Sequence, residues 1–520
     1  MPRSRSSPKF DSDGLALAPR ARIEVFVIVA ASLVGIIARL FPSSPLWLDE
    51  ALSINIADKP MGSIADALRH DGHPPLYYYA LAGWSRIFGT SDFAVRSLSM
   101  VLGFIALGLA FVIARRHGGR ELAAMTAFVM AVSPYGVRYS SETRMYAMVM
   151  VLVFIGWLAL DFAIHNPTVV RLIPVTVVSG ALLLTHYWCI FLIAGLVGLL
   201  TMHAWFVPAE RKSHGRAAIA IVAGGIFFLP WLGGFWYQMR HTGTPWAATA
   251  RPTRVVSESL VDFNGGLDPE AILLMLVTSF LLVVGVFGHR DRNQLVLARS
   301  AQPWVSNAFA VFAATITVGA GATFVSRSAF AGRYGAVYFP IFVVLVGLGL
   351  THLGHNWVRT GAVALIALFS LSGVFVQITA RDRTQAGQIA SAINEGAAAG
   401  DTVVMCPDQL GPSLQRRLRS DVVALAYPDL SDPHFVDWAD YEDRHRDVDP
   451  TAVARAIVDR TPADRRIWVE FSSSYRVVAE QCDRLIDALA LLRPSNEPLL
   501  SPDGTRYFET ASLRRFDPVS

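Results

Sequence analysis

The chain has 520 residues, of which 53% are hydrophobic and 17% charged, against about a quarter charged in an ordinary soluble domain. That deficit excludes a wholly soluble enzyme, and a formal net charge of +4 without a basic tract excludes a nucleic-acid binder. Apolar runs of roughly twenty residues, each able to cross ~30 Å of hydrocarbon, recur from residue 23 to 379, and beyond Ala380 the chain is polar to its end.

In chain order, a basic tail (1–22) precedes a full-length apolar run (23–41), read as an uncleaved anchor because many more spans follow. Further spans are predicted at 93–114, 121–136, 144–164, 170–186, 188–207, 217–238, 270–288, 304–325, 335–352 and 360–379, about eleven in all. The short basic loops RRHGGR (115–120), PAERKSHGR (208–216) and HRDRNQLVLAR (289–299) fall on one side with the N-terminal tail, and that side is expected to be cytoplasmic. The loops 42–92 and 239–269 and the tail 380–520 then share the outer side. The fold class expected is a polytopic α-helical membrane protein (domain 23–379) with a soluble, extracytoplasmic α/β domain (380–520).

Within that domain, QAGQIASAINEGAA, PSLQRRL, TAVARAIVDR and YRVVAEQCDRLIDALALL carry helical patterns, and TVVMC (402–406), VVALAY (422–427) and IWVEF (467–471) are strand-like. The alternation predicts a parallel sheet layered with helices, and the acidic stretch 428–450 is expected as a surface loop. Cys189, Cys406 and Cys482 have no metal-type spacing. Cys406 and Cys482 are expected as free thiols, a disulfide being open to them only in an oxidising compartment.

Four clusters fall on the outer side. PLWLDEALSINIA (45–57) carries Asp49 and Glu50 where the chain leaves the first span; HDGHPPLYYYALAGW (70–84) carries His73; YSSETRMYA (139–147) carries Glu142 and Arg144; GRYGAVYFP (332–340) carries Arg333 and Tyr334. Asp49 also suits a plain helix cap, and Tyr77, Tyr78 and Tyr79 are expected in an interfacial aromatic belt. His186, Tyr187 and Trp188, at another outer end, are further candidates to line the site. Arg96, Arg138, Arg144, Arg327 and Arg333 lie at outer span ends, against the positive-inside bias, where a charge near the apolar slab is costly unless it pairs, snorkels or functions. A carboxylate can take a proton from a hydroxyl nucleophile, and arginines hold phosphate by charge-assisted hydrogen bonds and neutralise a leaving phosphate. A base beside a phosphate clamp at a membrane surface suits glycosyl transfer from a lipid-phosphate sugar.

The acid pair after the first span, HPPLYYYAL (73–81), AVRSLS (94–99), YSSETRMYA and the late Arg333-Tyr334 together resemble the C-type glycosyltransferase superfamily of protein O-mannosyltransferases and aminoarabinose transferases, over roughly residues 22–379. The resemblance implies a polyprenyl-phosphate sugar donor, with mannose the family-level preference, and inversion in one displacement. It implies Asp49 as the base on the acceptor hydroxyl and Glu50 as its partner. It places His73, Arg96 and Arg333 at the donor phosphate, with Glu142, Arg144 and Tyr334 supporting the pocket. The acceptor is expected to be a protein, a lipoglycan or a polysaccharide. The chemistry requires no cofactor and none is expected, although the acid pair has donors for a divalent cation. A pentosyl donor, a lipid-sugar flippase and an inert anchor for the tail are the competing readings; no internal repeat favours a transporter.

Overall fold

The computed structural model describes residues 19–42, 44–244, 249–291, 294–298, 302–354, 357–380 and 382–518. Most of the predicted tail 1–22 lies outside them. Among the described residues, eight helices are long and apolar enough to cross a membrane. One is the run Asp92–Val132, which leaves helical geometry at Gly118 and Gly119, the latter at φ +73°, where a side chain would strain the backbone. Counting that run as two and adding the shorter apolar helices Val169–Leu183 and Phe339–His352 recovers the expected eleven. The span expected at 217–238 is three pieces, helices Arg211–Ala223 and Leu232–His241 joined by the 3-10 segment Gly224–Trp231, which contains Pro230. The chain is thus a multi-span membrane protein.

Close packing orients the helices that end at the four clusters. A Cβ on Gly349 would sit 2.0 Å from the Leu281 carbonyl oxygen, and one on Gly285 2.1 Å from that of Leu345. Helices Pro269–Phe287 and Phe339–His352 therefore touch backbone to backbone, as small residues permit. This contact fixes the helix that follows the 3-10 turn Gly332–Val337, which bears Arg333 and Tyr334. Arg359, near the start of the last span, is buried and bonds Glu24 at 2.6 Å and also Glu121, so this charge within an apolar helix is paired.

The C-terminal part forms a five-stranded sheet in the order Val423–Ala426, Thr402–Cys406, Ile467–Phe471, Ser512–Phe516, Asn496–Leu500. The first three strands are parallel, as expected, but the last two are antiparallel to their neighbours, so the sheet is mixed rather than parallel. The two added strands were missed because NEPLL and SLRRF are short and lack a strong apolar alternation. Cys406 and Cys482 are joined in a disulfide, correcting the expectation of free thiols: the strand end and helix Ala479–Leu492 meet in one apolar core.

This domain rests on the ends of the helices that carry the four clusters. Trp47 meets Phe508 edge to face at 5.9 Å, the Arg383 backbone N–H donates to Ser44 Oγ at 2.8 Å, and Asn55 donates to the His434 carbonyl at 2.8 Å. The stretch 428–450 is no free surface loop: Trp438 and Asp440 donate backbone N–H groups to the carbonyls of His70 and His241, and Val436 and Tyr441 are buried. Its apolar residues find their burial against the other half of the chain, which sequence alone did not reveal.

Candidate active site

The acid pair sits on a short helix, Leu48–Ala57, that begins after the Pro-Ser-Ser-Pro break. Trp47, not Asp49, occupies the cap position in extended conformation, and Asp49 and Glu50 lie inside the first turn, where carboxylates favour the positive end of the helix dipole. Successive positions on a helix point apart, and the two acids meet different surroundings.

Glu50 points inward and is fully buried. Arg96 grips it with two hydrogen bonds, Nε to Oε1 at 2.8 Å and Nη2 to Oε2 at 2.5 Å, and the Thr143 backbone N–H donates to Oε1 at 2.9 Å. Burial pushes the Glu50 carboxyl up, but Arg96 and these donors outweigh it and hold the group below the ordinary carboxylate range. Two further Arg96 donors go to the Ser44 and Pro45 carbonyls at 2.6 and 3.1 Å. Arg96 is buried, and most of its donors are spent on Glu50 and these carbonyls.

Asp49 points toward the other clusters. Its Oδ2 accepts no hydrogen bond and lies 3.6 Å from Arg333 Nη2. Arg144 reaches the Asp49 carbonyl at 3.3 Å and Ser53 Oγ at 2.8 Å, and its Nη2 meets His73 Nε2 at 2.9 Å. His73 Nδ1 in turn faces Asp71 Oδ2 at 3.0 Å, which also accepts from the Tyr78 hydroxyl at 2.6 Å. Burial raises the Asp71 carboxyl, but His73, Arg144 and Tyr78 together draw it below its usual value. An ionised Asp71 fixes the Nδ1–H tautomer of His73, leaving Nε2 to accept from Arg144.

Glu142 is buried and bonds Arg383, with Arg138 Nε at 3.7 Å. Arg138 also lies 3.8 Å from Asp262, which accepts from the Tyr139 hydroxyl at 2.8 Å. Burial lifts the Asp262 carboxyl above its usual range, against the pull of Arg138. On the other flank, the His186 ring is 5.2 Å from Tyr334, 5.9 Å from Tyr146 and 6.4 Å from His73.

All four clusters therefore converge. Glu50 joins the first to the third through Thr143, Asp49 joins the first to the fourth through Arg333, and His73 joins the second to the third through Arg144. Two tiers result. Glu50, Arg96, Glu142 and Arg144 lie at 0–2% exposure, while the side chains of Asp49, His73, Arg138, Arg333 and Arg383 keep 17–30%. Only the second set has surface to offer a ligand. Arg327 is exposed at a helix end outside this network. Tyr77 and Tyr78 are fully buried rather than in an interfacial belt, because the His-Pro-Pro turn feeds a helix, Leu76–Phe88, packed against the acid helix.

Sequence reasoning did not assign roles to Asp71, Asp262 or Arg383, and it placed Tyr78 in an interfacial belt rather than on Asp71. Asp71 was visible two residues before His73 in the same motif; Arg383, just beyond the last span, carried no local signal.

Among curated proteins none matches this sequence. The family model of dolichyl-phosphate-mannose-protein mannosyltransferases matches residues 72–233. The structure of ArnT from Cupriavidus metallidurans in the apo state is similar at a TM-score of 0.59 and 12% identity, covering 96% of this chain and 98% of that one. The same protein bound to undecaprenyl phosphate aligns at 0.56 and 13% identity over the same shares, 96% and 98%. An oligosaccharyltransferase from Archaeoglobus fulgidus, in complex with Zn and sulfate, aligns at 0.51 and 12% identity, covering 86% of this chain and 68% of that one.

Proposed function

From the C-type glycosyltransferase fold that this chain has, we propose a membrane glycosyltransferase that moves a sugar from a polyprenyl-phosphate donor to an acceptor hydroxyl at the outer face of the cytoplasmic membrane. The observation that carries the assignment is Asp49 Oδ2, free of hydrogen bonds, set 3.6 Å from Arg333 Nη2. A proton acceptor and a phosphate ligand stand side by side. Asp49 takes the acceptor's hydroxyl proton as that oxygen attacks the anomeric carbon. The bond from that carbon to the phosphate oxygen breaks with inversion, and the polyprenyl phosphate departs with its new charge neutralised by arginine.

Exposure divides the roles. Arg333 and Arg138 face the donor phosphate; His73, its two ring nitrogens taken by Asp71 and Arg144, holds Arg144 in place beside them; Glu50 and Arg96 form a buried clamp that fixes the acid helix, and Glu142 and Arg144 brace the site from below. Arg96 thus leaves the phosphate set. Tyr334 and His186 form the aromatic flank, suited to a sugar face. Mannose is the donor sugar in this reading, in keeping with the family model over 72–233; the acceptor is a protein, lipoglycan or polysaccharide.

The N-terminus is cytoplasmic, and the domain from residue 380 is extracytoplasmic and takes part in acceptor choice. The basic inner loops support that orientation, as does the Cys406–Cys482 disulfide, a bond of oxidising compartments. The test is transfer by purified protein from a panel of polyprenyl-phosphate sugars to membrane acceptors, with Asp49→Asn as control. Transfer from the mannosyl lipid, lost in the variant while donor binding persists, supports the reading. Transfer untouched by the substitution removes Asp49 as base, and preference for a pentosyl lipid removes mannose.

A further inference from the structure

A second set of chemically competent side chains lies far from the acid pair. Helix Cys189–Phe206 ends with His203 in its last turn, Val207 and Pro208 break the chain, and the short 3-10 turn Pro208–Glu210 leads into helix Arg211–Ala223. Glu210 and His214, four apart, share one face there. His203 Nε2 is 2.7 Å from Glu210 Oε2, and His214 Nδ1 is 3.6 Å from the same oxygen. One donor atom from each of the three residues fits within a 4.8 Å span. The two imidazole rings lie nearly parallel, their centroids 4.2 Å apart.

We propose that His203, Glu210 and His214 bind a divalent transition-metal cation of the Zn2+ class, with water in the fourth position. Two imidazoles and one carboxylate are a donor set that zinc takes. Metal–ligand bonds of about 2.0–2.1 Å place tetrahedral donors about 3.3 Å apart, and the two separations to Glu210 bracket that figure, so rotations of the two imidazoles out of their stack complete the site. A His203–Glu210 hydrogen bond alone would not call for a second imidazole stacked on the first. Protonated, the two rings repel each other; neutral, they can turn out of the stack so that one nitrogen lone pair from each meets the same cation.

The site is separate from the transfer chemistry. His203 is fourteen positions along its helix from Cys189, beside the aromatic flank of the acid site, a rise of about 21 Å. His203 and His214 also line one end of an apolar cavity of about 480 Å³ bounded by Trp157, Leu196 and Trp304. The bound cation staples the ends of two helices that wall this cavity.

The experiment uses the full chain, tag-free, purified in detergent and stripped with chelator. Zn2+ is titrated, metal per chain is counted after desalting, and Co2+ is substituted to read the ligand field in the visible spectrum. His203→Gln and Glu210→Gln alter partly exposed side chains, so the fold survives them. One retained equivalent, weakened about tenfold or more by each variant and lost in the double variant, is expected. Added Zn2+ should raise the thermal midpoint of the wild type and not of the double variant. No retained metal, or metal that the double variant still holds, overturns the proposal. So does loss of metal on Asp49→Asn with the double variant unaffected, which would put the cation at the acid pair.

Discussion

Asp49 and Arg333 come from opposite ends of the membrane part of the chain, yet Asp49 Oδ2 rests 3.6 Å from Arg333 Nη2. At that spacing the pair is a loose contact, longer than a charge-assisted hydrogen bond. A phosphate can replace the carboxylate at the guanidinium without breaking a tight bridge, which releases Asp49 for proton transfer.

Asp49→Asn removes the proposed base and keeps the shape. Transfer should fall about 10²–10⁴-fold, the usual contribution of a positioned proton acceptor, with donor affinity changed little. Single-turnover transfer and donor binding, measured on the same preparation, check this.

Arg333→Ala deletes the charged group proposed to hold the donor phosphate. A hydrogen bond to a charged group contributes about 1.5–3 kcal/mol, so donor affinity should weaken by roughly 10–100-fold. Arg333→Lys should recover part of it, since the charge returns without the fork. Unchanged donor binding in the alanine variant would remove Arg333 from the phosphate site.

Arg96→Ala leaves Glu50 buried and charged without its partner. Breaking such a pair costs about 3–5 kcal/mol, so thermal stability should drop sharply and take activity with it. Arg96→Ala with normal stability and selectively lost donor affinity would return Arg96 to the phosphate-binding set.

Glu509 gives a pH prediction. It is buried against Tyr475 Oη at 3.2 Å and the Leu48 backbone N–H, with the Asp49 charge nearby, and burial above all pushes its carboxyl up to about 7. The native state therefore keeps a proton that the unfolded chain, with an ordinary glutamate near 4.3, has already released. Stability from this group is present below that lower value and is lost as pH rises toward about 7, by an amount on the order of 3 kcal/mol. The thermal midpoint should decline between pH 5 and about 8, and Glu509→Gln should flatten the decline. A slope identical in the variant would show that other groups cause it.

The Cys406–Cys482 bond closes a 76-residue separation. Replacing both cysteines by alanine should cost about 2–4 kcal/mol of the tail's stability. Thiol labelling of whole cells, before and after reduction, also reports which side of the membrane the domain occupies.

The spans were legible because each is a long apolar run whose ends are marked by basic loops, and the four clusters because polar residues stand out beside such runs. What lay hidden was relational. Nothing local to Arg96 says that most of its donors go to Glu50 and two carbonyls, since burial depends on how Leu48–Ala57 lies against the next span. Tyr77 and Tyr78 look like interfacial residues until that same helix covers them. The antiparallel strands at the sheet edge and the Cys406–Cys482 bond depend on contacts across the tail that no local pattern encodes. Arg383 could not be found at all without knowing that the chain folds back over Glu142.

That last contact ties the two halves of the protein together. Arg383 bonds Glu142 and its backbone N–H donates to Ser44, immediately before the acid helix. Cutting the chain after the last span would strip the nearer counter-charge from Glu142 and leave that buried anion with only the more distant Arg138, at 3.7 Å. The tail is therefore no detachable accessory: swapping it for a relative's tail to change acceptor preference would succeed only if the graft began downstream of Arg383.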